Sequence, residues 1–244
     1  MNGPPRGEPP GKARPSDSAL PRPGVRAVTF DVGGTLITPW PSVGHIYAAV
    51  AARHGAPGID PSLLNRRFAA AWRESKGFRH ERAQWAALVD ATFDGLTPRL
   101  PSQTFFPELY ARFTEPAAWH VFEDVRPTLD ALQARGLQLG LISNWDERLR
   151  PLLRGLALDG RFEFIVVSCE ANATKPAVAL FHRAAAELSL EPGAILHVGD
   201  SLEMDVNGAL GAGCQGVLLD RRGPARAPRQ IQSLHELAGL LGPR

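Results

Sequence analysis

Short apolar runs, one near residue 25 and four after residue 136, are the most regular feature of the sequence. Each run has four to six residues and is rich in aliphatic and β-branched side chains, which is typical of strands buried on both faces. The runs are residues 25–30, 137–142, 164–167, 195–198 and 216–219. Between the later runs, apolar residues at three- and four-residue spacing predict helices, at residues 125–135, 147–156, 178–188 and 202–212.

Alternation of strand and helix predicts right-handed βαβ units and a parallel sheet. Residues 38–120 interrupt this alternation with helical patterns alone, at residues 43–54, 61–75, 82–93 and 103–113. We therefore predict an α/β fold: a Rossmann-like parallel sheet core, formed by residues 25–37 and 121–244, and an inserted all-helical cap, residues 38–120. An insert after the first strand stands over the carboxyl ends of the strands, where open α/β sheets bind their ligands.

Residues 1–24 differ in composition from the rest of the chain. They are rich in Pro, Gly and Arg and nearly free of large apolar side chains, so we expect a disordered leader. The leader lacks the apolar block of a signal peptide, and no apolar run approaches the ~18–20 residues of a membrane span. We expect a cytoplasmic protein with no membrane partner.

The overall charge and the cysteine count exclude several other classes. A net charge of +2 gives no indication of a nucleic-acid partner. Two cysteines are too few for a secreted disulfide scaffold. Nothing in the pattern indicates an oligomeric state.

Residues suited to chemistry follow four of the five predicted strands. Because the carboxyl ends of parallel strands meet at one edge of a sheet, we expect these residues to converge. They are Asp31, Gly33, Gly34, Ser143, Asn144, Lys175, Asp200 and Asp205.

The residue types in this set favour phosphoryl transfer. Paired carboxylates attract Mg²⁺, which prefers one or two carboxylates together with phosphate and water. Glycines let backbone N–H groups approach an anion closely, and a lysine adds positive charge against a transferring phosphoryl group. An aspartate can also act as a covalent nucleophile. We therefore expect a small phosphorylated substrate and a Mg²⁺ cofactor.

The order of these segments resembles a known family. TFDVGGTL, then LISN, then KP, then HVGDSLEMD are similar to the four motifs of the haloacid dehalogenase-like hydrolases, over roughly residues 25–220. The helical insert between the first two motifs resembles the family's first cap class. The segment SNWDERLRPLLRGLAL is similar to the branch related to a rhythmically expressed insect gene product.

The resemblance implies a role for each residue that contacts the substrate. Asp31 matches the nucleophile, and Lys175 matches the lysine that neutralises the charge of nucleophile and phosphate. Ser143 matches the hydroxyl that binds a phosphoryl oxygen. Its neighbour Asn144 and the backbone at Gly34 are further candidates for phosphate contact.

The resemblance also implies a metal site. Asp200 matches the magnesium ligand of the fourth motif, which acts with Asp31 and the backbone carbonyl at position 33. Asp205 matches a second acid that supports the lysine or a metal-bound water.

Gly33 departs from the family pattern. Phosphatases of the family carry at this position an aspartate that protonates the leaving oxygen and then activates water. Loss of general acid–base catalysis costs ~10²–10⁴-fold in rate, and substrates with good leaving groups suffer least. Three hypotheses follow: a phosphatase with weakened acid–base catalysis, an inactive pseudoenzyme that binds metal, phosphate or a protein partner, and a dehalogenase in which Asp31 attacks carbon.

Overall fold

The computed structural model of the chain describes residues 24–223 and 229–242. Its main sheet has six strands, all parallel, and the five predicted strands are among them. In chain order the strands of the protein are β1 Ala27–Phe30, β2 Ile37–Pro39, β3 Trp119–Val121, β4 Gln138–Ser143, β5 Phe164–Val167, β6 Ile195–Gly199, β7 Gln215–Leu219 and β8 Gln230–Ile231. The order in the main sheet is β5-β4-β1-β6-β7-β8, so β1 lies near the centre. The predicted α/β fold class is confirmed.

Helices cover both faces of this sheet. In chain order the helices of the protein are α1 Val43–Arg53, α2 Pro61–Glu74, α3 Arg82–Phe93, α4 Phe106–Arg112, α5 Val125–Ala134, α6 Leu149–Gly155, α7 Ser168–Ala171, α8 Val178–Leu188, α9 Gly208–Gly211 and α10 Leu237–Leu240. Side chains of β1 alternate between the two layers: Val28 and Phe30 pack with α5, α6 and α10, whereas Ala27 packs with α8 and α9. The sheet is therefore buried on both faces, as the apolar runs predict.

The four cap helices, α1 to α4, pack around an apolar cluster of their own. Tyr47 and Phe93 stack in its centre, with ring centroids 5.8 Å apart. Ser42 begins α1 by accepting a hydrogen bond from the backbone of His45, and Asp60 begins α2 in the same way. The predicted helix at residues 103–113 begins only at Phe106, because a short 3₁₀ turn occupies Pro101–Gln103.

The cap joins the core through a short antiparallel pair of strands that the sequence did not predict. β2 and β3 pair Ile37 with Val121 and Pro39 with Trp119. We call this pair the linker ribbon, Ile37–Pro39 with Trp119–Val121. Each strand has three residues, which is too short for a pattern of alternation. The domain boundaries at residues 38 and 120 remain a prediction.

The predicted helix at residues 202–212 takes an unusual form. Residues Leu202–Asn207 form a π-helical turn that continues into α9. The turn places the Asp205 side chain back against the end of β6, where Oδ2 accepts a hydrogen bond from the Ser201 backbone. π-Helical turns are frequent at functional sites, and here the turn determines where a candidate site residue lies.

Two further expectations concern the leader and a membrane span. Nearly all of the predicted disordered leader, residues 1–23, lies outside the described residues. Across the described ranges, none of the helices combines the length and the apolar character that crossing a bilayer requires.

Candidate active site

Asp31 lies at the carboxyl end of β1, at the start of a tight loop. Its backbone N–H donates to the Val198 carbonyl of β6 (2.9 Å), and Gly34 donates to Ile37 (2.8 Å) across the loop. Gly34 has φ +77°, and a Cβ built there would lie 2.1 Å from Oδ2 of Asp200. Both the backbone conformation and the close approach of Asp200 therefore require glycine at position 34.

Lys175 bridges two carboxylates at the centre of the site. Its Nζ donates to Oδ1 of Asp31 (2.6 Å) and to Oδ1 of Asp205 (2.5 Å). Ser143 Oγ donates to the same Asp31 oxygen at 3.1 Å. Burial opposes the charge of Lys175, but the two carboxylates outweigh it and hold the pKa of Lys175 above its usual value. Burial raises the pKa of Asp31, and the charge of Lys175 offsets part of this effect.

Asn144 lies beside these residues and contacts the backbone of Lys175. Its Oδ1 accepts from the Lys175 N–H (2.7 Å) and its Nδ2 donates to the Lys175 carbonyl (3.2 Å). Both ends of the side-chain amide are thus occupied. Asn144 fixes the position from which Lys175 reaches Asp31, a role that the sequence did not predict.

A buried histidine that the sequence analysis did not single out contacts Asp205 from within the sheet. His197 on β6 is fully buried, with Nε2 3.1 Å from Oδ1 of Asp205 and Nδ1 2.9 Å from Thr29 Oγ1. Burial lowers the pKa of His197, so we assign a neutral ring that accepts from Thr29 and donates to Asp205. The signal in the sequence was a polar residue inside each of two fully buried strands.

Three carboxylates gather at one point of this site. One oxygen from each of Asp31, Asp200 and Asp205 lies within 4.8 Å of the others. Asp200 is the most exposed of the three, but its carboxyl group faces the protein. Desolvation of this group, together with the negative charges of Asp31 and Asp205, raises the pKa of Asp200 to about 7. Crowded oxygen ligands with an excess of negative charge suit a hard divalent cation. Both Asp205 oxygens already accept hydrogen bonds, from Lys175, His197 and Ser201, so Asp31 and Asp200 are the better placed ligands.

Trp145 occupies the space beside Gly33. A Cβ built on Gly33 would lie 3.2 Å from Cζ3 of Trp145, and apart from the two neighbours of Gly33 in the chain no other described side chain comes within 4 Å. The Trp145 backbone is held by Ser168, whose Oγ accepts from its N–H (3.0 Å) and donates to its carbonyl (3.0 Å). The indole contacts Trp119 of the linker ribbon, with ring centroids 5.3 Å apart.

A buried ion pair ties the cap to the core next to this site. Arg148 forms a two-pronged pair with Asp146, at 2.8 and 2.6 Å. Its guanidinium lies 3.6 Å above the ring of Tyr110 in α4 and donates to the Tyr110 carbonyl at 3.1 Å. The Tyr110 hydroxyl donates to Glu147 at 2.9 Å. Such a cluster needs all its partners because an unpaired buried charge is costly.

His80 is the buried histidine of the cap. It packs against Phe78 and Trp85 with ring centroids 5.1 and 5.8 Å away, and its Nδ1 has no hydrogen-bond partner among the described residues. Burial lowers the pKa of His80 to about 4, while the charges of Asp146 and Arg148 have smaller, opposing effects. The ring is therefore neutral near pH 7.

The structure thus brings Asp31, Ser143, Lys175, Asp200 and Asp205 to one edge of a parallel sheet beneath a helical cap. A family model described as haloacid dehalogenase-like hydrolase matches residues 25–213. The chain belongs to this family, and the resemblance drawn from the four motifs is confirmed.

Relatives and solved structures agree with this assignment. Haloacid dehalogenase-like hydrolase domain-containing protein 3 of Bos taurus is 32% identical over 207 residues, which cover 80% of this chain and 82% of that protein. The rhythmically expressed gene 2 protein of Drosophila melanogaster is 27% identical over 218 residues, 81% of this chain and 84% of that protein. The crystal structure of a HAD phosphatase from Thermococcus onnurineus is 27% identical, with a TM-score of 0.65 over 89% of this chain and 98% of that one.

The fold is also shared with a dehalogenase. A 2-haloacid dehalogenase from Pseudomonas syringae has a TM-score of 0.62 and 24% identity, covering 89% of this chain and 98% of that one. Phosphatases and dehalogenases thus share the fold, and the choice between them depends on the residues of the site.

Proposed function

We propose that this protein is a Mg²⁺-dependent phosphatase that acts on a small phosphorylated metabolite through an aspartyl-phosphate on Asp31. The observation that carries the proposal is the pair of donors on Oδ1 of Asp31, Lys175 at 2.6 Å and Ser143 at 3.1 Å, beside a carboxylate cluster. A buried carboxylate with such donors is oriented for attack on phosphorus, and the same donors can bind phosphoryl oxygens.

The reaction has two steps. An oxygen of Asp31 forms a bond to phosphorus while the bond from phosphorus to the leaving oxygen breaks, and the electron pair goes to the leaving group. Water then attacks the same phosphorus, the bond to the Asp31 oxygen breaks, and the proton of the water passes to bulk solvent. Lys175 and Ser143 hold the phosphoryl oxygens throughout, while Asn144 keeps Lys175 in place. The backbone at Gly34 is a further candidate for phosphate contact.

The residues also fit a divalent cation. Asp31, Asp200 and the backbone carbonyl of Gly33 would hold Mg²⁺, and Asp205 would support Lys175. When bound, the ion neutralises charge on the phosphoryl oxygens. The presence of a carboxylate cluster favours phosphate over halide chemistry, because displacement of halide at carbon needs no cation.

The first test compares the wild type with Asp31→Asn. Purified protein is assayed for phosphate release from aryl and acyl phosphates with Mg²⁺ and with EDTA, and for halide release from 2-haloacids. We expect phosphate release that needs both Asp31 and Mg²⁺. Equal rates in wild type and Asp31→Asn, or halide release that is indifferent to EDTA, would contradict the proposal.

A second candidate function, a pseudoenzyme, is favoured by Gly33. Such a protein would bind metal and phosphate, or a protein partner, without turnover. Isothermal titration with Mg²⁺ and inorganic phosphate, beside the same activity assay, separates the two: binding without Asp31-dependent turnover would identify the pseudoenzyme. A cytoplasmic location remains a prediction.

A further inference from the structure

The side chain that fills the space beside Gly33 comes from the core and cannot exchange protons. The φ of Gly33 lies outside the left-handed region, so the backbone itself would accept a side chain. What opposes one is Trp145, whose Cζ3 lies 3.2 Å from the position of a Cβ. A side chain at position 33 would therefore require the indole to shift by a few tenths of an ångström.

Trp145 is held firmly in this place. Its backbone N–H and carbonyl are both bonded to the Ser168 hydroxyl at 3.0 Å, and its ring packs on Trp119. It also follows Ser143 and Asn144 directly in the chain, so its position is coupled to two residues of the site. The indole therefore forms one side of the site, next to the loop that begins at Asp31.

An indole wall beside the nucleophile selects for a particular leaving group. The face of the ring is apolar and offers no proton, so the leaving oxygen must depart as an anion. Because Trp145 is only partly buried, its ring also leaves a surface on which a planar group can stack, a contact worth ~0.5–1.5 kcal/mol, or up to about tenfold in binding.

We propose that Trp145 is the specificity-determining residue of this site, and that with Gly33 it selects phosphorylated substrates with a planar, weakly basic leaving group, as in aryl, enol and acyl phosphates. This inference rests on the proposed function. In the first step, the bond between phosphorus and the leaving oxygen breaks, the electron pair delocalises into the planar group, and no proton is taken from the protein.

The test uses substrates that separate ring stacking from leaving-group basicity. These are 4-nitrophenyl, phenyl, benzyl and cyclohexyl phosphate, assayed with Mg²⁺ against wild type, Trp145→Ala, Trp145→Phe, Gly33→Asp and the double variant Gly33→Asp/Trp145→Ala. Benzyl phosphate keeps the aromatic ring, but its leaving group is a strongly basic alkoxide. Trp72→Ala is the matched control, because Trp72 is 40% exposed on the cap.

We expect the wild-type rate to fall steeply from 4-nitrophenyl to phenyl to benzyl phosphate. Trp145→Ala should lower kcat/KM about tenfold on the aryl substrates, chiefly through KM, with little change on cyclohexyl phosphate, and Trp145→Phe should restore most of the loss. Gly33→Asp alone should gain less on benzyl phosphate than the double variant, because Trp145 must shift to admit the new side chain. The double variant should gain ~10²-fold. Trp72→Ala should behave as wild type.

Other outcomes are distinguishable. If Trp145→Ala lowers kcat/KM equally on all four substrates, or if Gly33→Asp alone gains as much as the double variant, the inference is overturned while the phosphatase proposal stands. If no substrate shows Asp31-dependent turnover, the proposed function fails and the inference fails with it. A wild-type rate independent of leaving-group basicity also overturns the inference alone.

Discussion

Replacing Lys175 with methionine should destabilise the protein far more than the loss of an exposed cation. The Lys175 side chain is 3% exposed and contacts Asp31 and Asp205 at 2.6 and 2.5 Å, and the side chains of these aspartates are 11% and 2% exposed. Methionine has a similar volume, so packing changes little. The two buried carboxylates lose their shared counter-ion, and breaking a buried pair in this way costs about 3–5 kcal/mol. For a chain of this size that corresponds to a fall in Tm of roughly 10 °C.

The measurement is urea unfolding followed by circular dichroism, at pH 7 with EDTA present so that metal binding does not contribute. Arg150→Met is the matched control, because Arg150 forms a similar two-pronged pair with Glu170 but is exposed. That pair should be worth ~1 kcal/mol or less. Asp205→Asn in the Lys175→Met background should recover stability, with an interaction energy of ~1–3 kcal/mol. Lys175→Met as stable as Arg150→Met would refute the reasoning.

Three further predictions follow from other parts of the structure. Gly34→Ala should abolish turnover, and also Mg²⁺ binding as measured by titration calorimetry, because its Cβ would overlap Asp200. The control is Gly58→Ala, also at positive φ but with nothing within 4 Å, which should cost only the ~1–2 kcal/mol of backbone strain and keep both turnover and Mg²⁺ binding. Equal effects of the two substitutions would disprove the overlap. Burial lowers the pKa of His80 from 6.5 to about 4 in the folded protein, so between these pH values the unfolded state binds more protons than the folded state. The free energy of unfolding should therefore be highest above pH 6.5 and should fall by about 3 kcal/mol as the pH is lowered towards 4. That loss should shrink in His80→Gln but persist in the exposed His45→Gln, as read from unfolding curves at several pH values. With 4-nitrophenyl phosphate the second step lacks a base, so stopped-flow traces should show a burst of nitrophenolate that matches the enzyme concentration; a linear trace would mean that the first step limits turnover.

The carboxyl ends of the five predicted strands could be located because each of these strands carries a clear signal. Apolar runs of four to six residues indicate buried parallel strands, and polar residues directly after them fall at one edge. Asp31 and Lys175 are 144 positions apart in the chain, yet this reasoning places them together. The order of the motifs then indicated the family.

The contacts around the site could not be predicted in the same way. His197 and Thr29 pair across two neighbouring strands, a contact that depends on register, and the sequence pattern does not specify register between parallel strands. The close approach of Trp145 to Gly33 depends on the rotamer and on the bond to Ser168. The π-helical turn at Leu202–Asn207 places the Asp205 side chain against the end of β6, and the periodicity of apolar residues does not distinguish this turn from an ordinary helix.

The linker ribbon connects the loop after β1 to a pair of tryptophan side chains. One of its strands begins at Ile37, which is hydrogen-bonded to Gly34 in the loop after β1, and the other carries Trp119, whose ring lies 5.3 Å from that of Trp145. A cap that opens to admit substrate must bend this ribbon and so change the separation of the two indoles. We therefore expect a change in cap position to alter the tryptophan emission of the protein, which would make an attached dye unnecessary.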